Sequence, residues 1–467
     1  MMIKAIKALQ RKHHHRPRKA KYEMDMTTGP LLPKVLSFSL PLMLSGILQL
    51  LFNAADIIVV GKFAGDQALA AVGSTGSLIN LILNMFMGLS VGASVLVARN
   101  WGAHDFRGVQ KAVHTSISVA GIGGVMVAIL GLVLGRPMLV WMNNPPDVID
   151  GATLYIVIYF LGSPFNLLYN FGAAVLRAVG DTKRPLYYLI IAGVANVLLN
   201  LLLVIVFHMG VAGVAIATVF SQAISCVLTL ACLIRSEGAI HLDLHKLRID
   251  PHQLKDIAKV GLPAGLQGSL FSISNVLIQS TVNSFGSIIV AGNTASGNIE
   301  GFVYTAMNAL YQAAITFASQ NMGAKKFARV RRSMWVCLGV VLTVGLSLGL
   351  VVTAFGPILL TMYTDSAEVV EYGMLRMRII LPLYFICGMM DTMVGQLRGV
   401  GQSILPMLVS LTGACALRIV WIMTIFAWNP TLPTLYWSYP VSWTVTLLAH
   451  MTCYFIATRK MPRQDLA

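Results

Sequence analysis

Charged residues are scarce in this chain of 467 residues. Asp, Glu, Lys and Arg together make up 11% of it, and only 18 residues are acidic, whereas an ordinary soluble domain carries roughly 25% charged residues. Hydrophobic residues make up 56% of the chain, and its mean hydropathy is +0.74. These values exclude a water-soluble globular protein and indicate an integral membrane protein.

Motifs for bond-making chemistry are also lacking. The six cysteines lie in apolar stretches without C-x-x-C spacing, which argues against a zinc site or a disulfide framework. The sequence shows no nucleotide-binding motif, no cluster of metal-spaced His and Cys, and no buried nucleophile beside a base. We therefore expect no enzymatic activity and no cofactor, and no metal apart from a coupling Na+.

Long apolar segments account for most of the chain. A spanning helix needs roughly 20 predominantly apolar residues. Twelve segments meet this requirement: 35–59, 69–98, 112–135, 152–176, 186–208, 211–234, 257–283, 290–319, 333–355, 372–397, 404–427 and 434–458. The prediction is an all-α membrane protein with a basic arm (1–30), a bundle (31–235), a linker (236–256), a second bundle (257–460) and a short tail (461–467).

The basic residues are unevenly distributed along this topology. With the N-terminus in the cytoplasm and alternating spans, 29 of the 34 Lys and Arg lie on the cytoplasmic side. Four lie outside (Lys62, Arg136, Arg376 and Arg378), and Arg418 alone falls within a span. Such an asymmetry places both termini in the cytoplasm. The net charge of +16 therefore reflects topology, and we expect no nucleic-acid partner.

The two halves of the sequence resemble each other at an offset of 220 to 222 residues. The matching segments are 35–53 with 257–275, 100–106 with 321–327, 137–142 with 357–362, and 176–185 with 397–406. These matches predict a six-helix unit that occurs twice. Because six is even, both copies enter the membrane from the same side, which gives a parallel repeat whose two bundles rock against each other.

Three acidic residues fall well inside predicted spans: Asp56, Glu300 and Asp391. Acidic groups within a membrane are costly and mark functional sites. Asp56 has no basic residue at comparable depth in the first half, so its carboxyl is expected to be protonated or to hold a cation. Pro41 lies fifteen residues earlier in the same span, about four helical turns, and permits a bend, which predicts a gate beside a titratable group.

Polar side chains on neighbouring spans are expected to join Asp56. Asn196 and Asn200 share one helical face, counting from the preceding turn puts Asn170 level with Asn196, and Thr218 reaches a similar depth from the other side. Their oxygens suit Na+ or a proton-carrying carboxyl. The alternative is that they only hydrogen-bond helices together.

The second half differs from the first at the matching positions. The repeat places Asp391 at the position of Asn170, and level with Arg418. Opposite charges at one depth predict an ion pair, either structural or linked to substrate. Glu300 has no evident partner in the sequence; it either binds a cationic substrate or shares Arg418.

The chain resembles the multidrug and toxic compound extrusion (MATE) family over nearly its whole length after residue 30. The most specific matches are LP…N-x-x-D (Pro41, Asn53, Asp56), LRAVGDTKRP (176–185), NVLLN (196–200) and QNMGAKKF (320–327). The resemblance implies a bacterial protein of the cytoplasmic membrane, functional as a monomer. It also implies a twelve-helix, two-lobe fold that exports organic, cationic or amphiphilic compounds in exchange for H+ or Na+.

Two branches of the family differ in their acidic residues. In DinF-like members an Asp on helix 1 acts with polar residues of helices 4 to 6, and helix 1 bends at a proline. The positions that match are Pro41, Asp56, Asn170, Asn196, Asn200 and Thr218. NorM-like members carry an acidic residue in helix 7, where this chain reads GSLFSISN. The resemblance therefore favours the DinF-like branch.

An alternative on the same fold is a flippase-like exporter of a lipid-linked or polar metabolite. Such a protein is expected to line its cleft with several Arg or Lys for phosphate groups, and Arg418 is the one basic residue predicted deep in a span. A channel is disfavoured by the duplication into two bundles.

Overall fold

The computed structural model describes residues 22–142, 146–462 and 464–465, and these residues form an all-helical protein without β-strands. The first 21 residues, which make up most of the predicted basic arm, and Arg463 lie outside the described residues. The predicted all-α membrane fold is confirmed.

The α-helices are numbered in chain order. They are α1 Leu31–Phe63, α2 Asp66–Gly102, α3 Phe106–Trp141, α4 Ile149–Leu161, α5 Ser163–Ala178, α6 Lys183–Asn200, α7 Gly210–Arg235, α8 Pro251–Asn283, α9 Ser287–Gly323, α10 Phe327–Ala354, α11 Gly356–Thr361, α12 Ala367–Ile380, α13 Tyr384–Gly399, α14 Ile404–Ser410, α15 Leu417–Trp421 and α16 Leu432–Thr458. Three π-helical turns continue this series at Leu201–Val206, Leu411–Ala416 and Ile422–Phe426, and 3₁₀ turns lie at Leu244–Lys246 and Leu381–Leu383.

Nine continuous helical segments in the described ranges are long and apolar enough to cross a membrane. The pair α4 and α5, which is bent by 47° at its break, makes a tenth. The two remaining long helices, α8 and α9, do not pass the same test although they have 33 and 37 residues. Both carry polar side chains that face a cavity, as described below, and this lowers their hydropathy.

Two hydrophobic cores organise the molecule, one in each half of the chain. The first is built from buried residues between Val59 and Ile257, and the second from residues between Ala295 and Tyr454. Helix α1 contributes to both: its first turns add Phe38 to the second core, and its last turns add Val60 to the first. The helix that carries Asp56 therefore connects the two halves.

Helix α1 is continuous through Pro41. The Ser45 hydroxyl donates to the Pro41 carbonyl oxygen at 2.8 Å. In its most apolar stretch only 17% of the residues are buried, against 22 to 56% in the other eight spans that pass the test. This helix is therefore the least restrained by packing among those nine.

Helices α2 and α8 approach closely where the halves meet. A side chain at Gly88 would collide with the backbone of Gly265, and one at Gly92 would collide with the backbone near Ile257. Because glycine has no Cβ, two backbones can pack directly against each other at these positions. The contact joins the end of α2 to the beginning of α8.

Contacts at the ends of α2 and α9 are reciprocal. A Cβ at Gly102 would collide with the carbonyl oxygen of Gln320, and a Cβ at Gly323 would collide with the carbonyl oxygen of Arg99. Gly102 and Gly323 are 221 positions apart in the sequence, and so are Arg99 and Gln320. In one contact the glycine belongs to the first half and the carbonyl group to the second, and in the other contact this is reversed.

A second reciprocal pair lies nearer the middle of the helices. A Cβ at Gly268 would contact the side chain of Asn84, and a Cβ at Gly46 would collide with the side chain of Thr305. Asn84 and Thr305 are 221 positions apart, and Gly46 and Gly268 are 222 apart.

Residues 24–29 form a strap across the end of the molecule at which these contacts lie. The Met24 amide donates to the Val179 carbonyl oxygen at 3.2 Å, and another strap amide donates to Oε1 of Gln320 at 3.2 Å. The Arg329 guanidinium donates to three strap carbonyl oxygens at 2.8 to 3.0 Å. The strap thus bonds to both halves and covers the seam between them.

The linker between α7 and α8 packs against α3. The Asp243 amide donates to Nε2 of His114 and the Asp250 amide donates to Oγ1 of Thr115, both at 3.1 Å. A hydrogen bond from Lys246 lowers the pKa of the Asp243 carboxyl. Asp250 caps α8, so this helix begins at Pro251, earlier than the predicted span.

Candidate functional site

Asp56 lies half-buried in α1 and contacts the last residue of α6. The Nδ2 of Asn200 donates to Oδ1 of Asp56 and lies 3.4 Å from Oδ1 of Asn196. Asn200 and Asn196 are buried, and Oδ1 of Asn200 has no hydrogen-bond partner among the residues that the structure describes. Three of the five predicted coupling residues therefore meet, and they leave a buried amide oxygen free to accept a further bond.

The other two predicted members of this cluster are not bonded to Asp56. The Asn170 amide donates to the carbonyl and side-chain oxygens of Asn166, both at 2.9 Å, and the Thr218 hydroxyl donates to the Val214 carbonyl oxygen at 2.9 Å. Each polar group is satisfied by the preceding turn of its own helix. Counting residues along a hairpin predicts depth but not the direction of a side chain. The place of Asn170 and Thr218 in the cluster therefore stays a prediction.

Two features near Asp56 were not predicted. The Tyr155 hydroxyl, on α4, is close enough to interact electrostatically with Asp56, and its ring stacks on Tyr159 at a centroid distance of 6.1 Å. A π-helical turn begins directly after Asn200. Such turns often occur at functional sites because they shift the register of the side chains that follow.

A cavity of about 720 Å³ lies mainly in the second half of the molecule. Its polar lining comes from α8, α9, α12, α13 and the segment around α15, and includes Gln267, Asn293, Tyr304 and Tyr311. All three candidate residues predicted in this half, Glu300, Asp391 and Arg418, line it. The volume falls within the range of roughly 300 to 1,000 Å³ that is typical of small-molecule sites.

Glu300 forms a bidentate ion pair with Arg376 at the wall of this cavity. Nε and one terminal nitrogen of Arg376 lie 2.8 Å from the two carboxylate oxygens, and the other terminal nitrogen donates to Oδ1 of Asn293 at 2.6 Å. Glu300 and Arg376 are 5% and 8% exposed. The sequence offered Arg418 as a residue for Glu300 to share, and this was wrong: its partner is Arg376, which was counted from the sequence on the outer side of the membrane.

Asp391 and Arg418 do not form the predicted ion pair. Nε of Arg418 donates to Oγ of Ser442 at 2.8 Å, and its guanidinium lies over the Tyr439 ring at 4.4 Å. The cation that acts electrostatically on Asp391 is Arg398. Among the described residues, no ion pair within 4 Å involves Asp391 or Arg418.

Arg398 is buried and belongs to the cavity, although its position at the end of a predicted span gave no indication of this. One of its terminal nitrogens donates to the Tyr311 hydroxyl and the other to Oε1 of Gln267 at 2.8 Å. Gln267 in turn donates to Ser410, which is 3.0 Å from Nε2 of His450. The repeated L-R-x-V-G sequence was the available signal for Arg398.

The fold and the site are those of a membrane transporter. The protein has many membrane-spanning helices and two cores with a seam between them. It carries a carboxylate in one half and a charged cavity in the other. Within the residues that the structure describes, no group of three or more His, Cys, Asp or Glu is arranged to hold a metal ion.

Comparison with known families gives the assignment. The model of the MatE family matches the chain twice, at residues 41–202 and 263–424, and the two matches start 222 positions apart. Together they cover more than half of the chain, so the protein belongs to the MatE family. Members of this family are multidrug efflux transporters and not enzymes.

Relatives along almost the full length agree with this family. The chain is 27% identical over 404 residues to the probable multidrug resistance protein YpnP of Bacillus subtilis (strain 168), covering 86% of this chain and 90% of YpnP. It is 25% identical over 401 residues to the probable multidrug resistance protein NorM of Thermotoga maritima, covering 83% and 84%.

The fold is that of solved MATE transporters. The structure described as an outward-facing conformation of a multidrug resistance MATE family transporter of the MOP superfamily has a TM-score of 0.88 to the structure of this chain. The two are 21% identical, and the alignment covers 95% of this chain and 99% of the other. At this identity the likeness concerns the fold.

Proposed function

We propose that this protein is an H+- or Na+-coupled antiporter that exports small organic amphiphiles across a bacterial cytoplasmic membrane, with Asp56 as the coupling residue. The observation that carries the proposal is the contact between Asp56 and Asn200. Within the described part of the chain, no basic side chain lies within 4 Å of Asp56 as an ion-pair partner. An acidic group of this kind is stabilised by taking up a cation or a proton.

The neighbours of Asp56 are suited to either coupling ion. For Na+, the carboxylate and the amide oxygens of Asn196 and Asn200 are oxygen ligands of the kind that hard cations prefer. For H+, the protonated carboxyl becomes a donor, and the buried, unpartnered Oδ1 of Asn200 is an acceptor beside it. Asn170 and Thr218 enter this site only if their side chains turn away from their own helices during the cycle.

Two six-helix bundles related by a parallel repeat best account for the architecture. The reciprocal contacts at Gly102 and Gly323, and the second pair at Gly46 and Gly268, support a two-fold axis between the halves. The double family match with starts 222 positions apart supports the same duplication. In this arrangement α8 and α9 are also spans, their polar side chains facing the cavity, which brings the number of spans to twelve.

The conformation is closed on one side. With both termini in the cytoplasm, as the distribution of basic residues predicts, the strap, the glycine contacts of α2 with α8, and the ends of α2 and α9 all lie on the cytoplasmic side. We infer that the structure represents a state that is closed to the cytoplasm.

Bending of α1 couples the ion to the gate. Pro41 lacks an amide hydrogen, which weakens the helix at this point, and α1 is sparsely packed. Neutralising Asp56 removes the cost of an ionised group within the membrane and permits α1 to bend. Substrate then leaves outward, and the loaded protein rocks inward and releases its cation to the cytoplasm.

One observation favours the alternative of a flippase-like exporter of a lipid-linked or polar metabolite. Arg376, Arg398 and Arg418 all line the cavity, and several cationic groups in a cleft are expected for phosphate recognition. However, Arg376 is occupied by Glu300. The cavity therefore offers fewer free cations than its composition indicates, and we retain the antiporter as the main proposal.

Transport by the purified protein in proteoliposomes tests this function. Vesicles are prepared with an imposed pH gradient, an imposed Na+ gradient, both or neither, and uptake of a fluorescent organic amphiphile is recorded. Accumulation against the substrate gradient that is driven by one of the two ions supports the antiporter and identifies the coupling ion. If the amphiphile only equilibrates across the membrane and neither gradient changes its uptake, the antiporter is contradicted and a channel or uniporter is indicated.

A further inference from the structure

The cavity in the second half contains more positive than negative side chains. Among the described residues, five charged side chains line it: Glu300, Asp391, Arg376, Arg398 and Arg418. Three arginines against two carboxylates leave one cation in excess when all five are ionised. The hydrogen bonds indicate which of the three arginines keeps donors available for a ligand.

Two of the three arginines have their donors occupied. Arg376 is held by Glu300 through two bonds of 2.8 Å, and its other terminal nitrogen donates to Asn293. Arg398 forms no ion pair within 4 Å among the described residues, but its terminal nitrogens donate to the Tyr311 hydroxyl and to Oε1 of Gln267. Arg418 remains: in the described part of the chain it also forms no ion pair within 4 Å, and its side-chain hydrogen bond is the one from Nε to Ser442.

Arg418 is buried and held in position without an anion. It is 3% exposed, its Nε is bonded to Ser442 at 2.8 Å, and its guanidinium lies 4.4 Å from the Tyr439 ring centroid and 5.8 Å from that of Trp443. A buried charge without a counter-charge is unfavourable. Stacking on two rings fixes the plane of the guanidinium and supplies part of the missing stabilisation.

The backbone around Arg418 is irregular in a way that suits a binding residue. It lies in the five-residue helix α15, with the π-helical turns Leu411–Ala416 before it and Ile422–Phe426 after it. Turns of this kind place side chains off the ordinary helical register and occur frequently at functional sites. Arg418 lines the cavity from this segment.

We propose that Arg418 is an anion-binding residue for the transported compound, and that this compound is an aromatic amphiphile with a carboxylate, sulfonate or phosphate group. The guanidinium forms planar, charge-assisted hydrogen bonds with such groups. Tyr439 and Trp443, beside the guanidinium, provide ring surfaces for the aromatic part. The inference rests on the proposed function, because it names the chemical class that the exporter takes.

A matched pair of fluorescent probes tests the proposal by equilibrium binding to the purified protein in detergent, measured by fluorescence polarisation. Rhodamine 110 carries a free carboxylate, and rhodamine 123 is its methyl ester. We expect the wild-type protein to bind rhodamine 110 about 10-fold more tightly, the effect of one hydrogen bond to a charged group. Equal affinities, or tighter binding of the ester, would overturn the proposal without any variant being made.

Variants at Arg418 locate the effect. Arg418→Gln should abolish the preference for the acid and leave the affinity for the ester within about twofold, since only the charge-dependent part of binding is lost. Arg418→Lys retains the positive charge and should keep part of the preference. It replaces the glutamine variant in the test if that variant does not fold. Arg332→Gln, which removes an exposed arginine, serves as the matched control. A preference that persists in Arg418→Gln would contradict the assignment.

The anionic group can belong to a drug-like compound or to a lipid, and displacement of rhodamine 110 distinguishes the two. Dihexanoyl phosphatidylglycerol has an anionic headgroup and no ring, and dihexanoyl phosphatidylcholine controls for its chains. Failure of the glycerol lipid to displace the probe supports an aromatic ligand, and displacement at comparable concentration contradicts it. These results do not depend on ion coupling, so failure of this proposal and failure of the antiporter are separable.

Discussion

Removal of the Glu300 carboxylate should destabilise the second half of the protein. The Glu300→Gln substitution keeps the size of the side chain but removes its charge and converts one oxygen into an NH2 group that faces the Arg376 guanidinium. Arg376 then retains the amide oxygen and Asn293 as acceptors, together with the faces of Tyr436 and Tyr439 at 5.5 and 5.4 Å, but it has lost its counter-charge. Breaking a buried ion pair on one side costs about 3–5 kcal/mol.

The magnitude can be expressed as a melting temperature. With an unfolding entropy of about 2.1 cal/mol/K per residue, a chain of 467 residues loses about 1 °C per kcal/mol, so the expected decrease is about 3–5 °C. The cysteines Cys226, Cys337, Cys387 and Cys415 are buried. A thiol-reactive fluorophore therefore reports unfolding in detergent without further labelling.

The double variant is the control for this prediction. Glu300→Gln combined with Arg376→Gln removes both charges of the pair, so neither is left buried without the other, and it should recover at least half of the lost stability. A single variant that melts within about 1 °C of the wild type, or a double variant whose loss equals the sum of the two single losses, would refute the reasoning.

Three further predictions concern the seam and the coupling cluster. Arg329→Ala removes three bonds to the strap and should speed amide hydrogen exchange of residues 24–29 by about 10-fold, measured by mass spectrometry; unchanged exchange would contradict the role of the strap. Gly88→Val should lower the melting temperature through a clash worth about 1–3 kcal/mol or more, whereas Gly73→Val, with open space around it, should not; equal effects would argue against close packing. Asn200→Ala should reduce gradient-driven transport by about 10-fold and more than Asn170→Ala does; the reverse order would show that Asn170 is the closer partner of Asp56.

Much of the fold follows from composition along the chain. The predicted span 333–355 ends one residue beyond α10, Phe327–Ala354, and otherwise lies within it, because the thickness of the bilayer dictates the length of an apolar run. Polar ends are less predictable. The helix predicted from residue 257 begins at Pro251 because Asp250 accepts bonds from two amides of the first turn, and a hydropathy profile does not report such a cap.

The candidate site could be predicted only in part, since its contacts are long-range. Arg376 lies beside other charges in the sequence and was assigned to the outside, whereas its burial depends on Glu300, 76 positions earlier. The pairing of Asp391 with Arg418 was inferred from equal depth alone. The π-helical turns on both sides of Arg418 shift its side chain from the ordinary helical register. No pattern in the sequence predicted these turns.

Asp56 was identified correctly as a carboxylate near Asn196 and Asn200, because the side chains one turn apart on α6 share a face and their residue types are unusual in an apolar helix. The charge of this group is the central element of the proposed cycle. Its neighbours in the described structure are neutral polar groups.

The most direct test of the account is gradient-driven transport by the Asp56→Asn variant in proteoliposomes, with Asp147→Asn, an exposed loop position, as the matched control. The account predicts that Asp56→Asn folds, since asparagine can still contact Asn200, and that it no longer accumulates the amphiphile when a pH or Na+ gradient is imposed. The control should retain wild-type transport. Full gradient-driven accumulation by Asp56→Asn would contradict the assignment of Asp56 as the coupling residue.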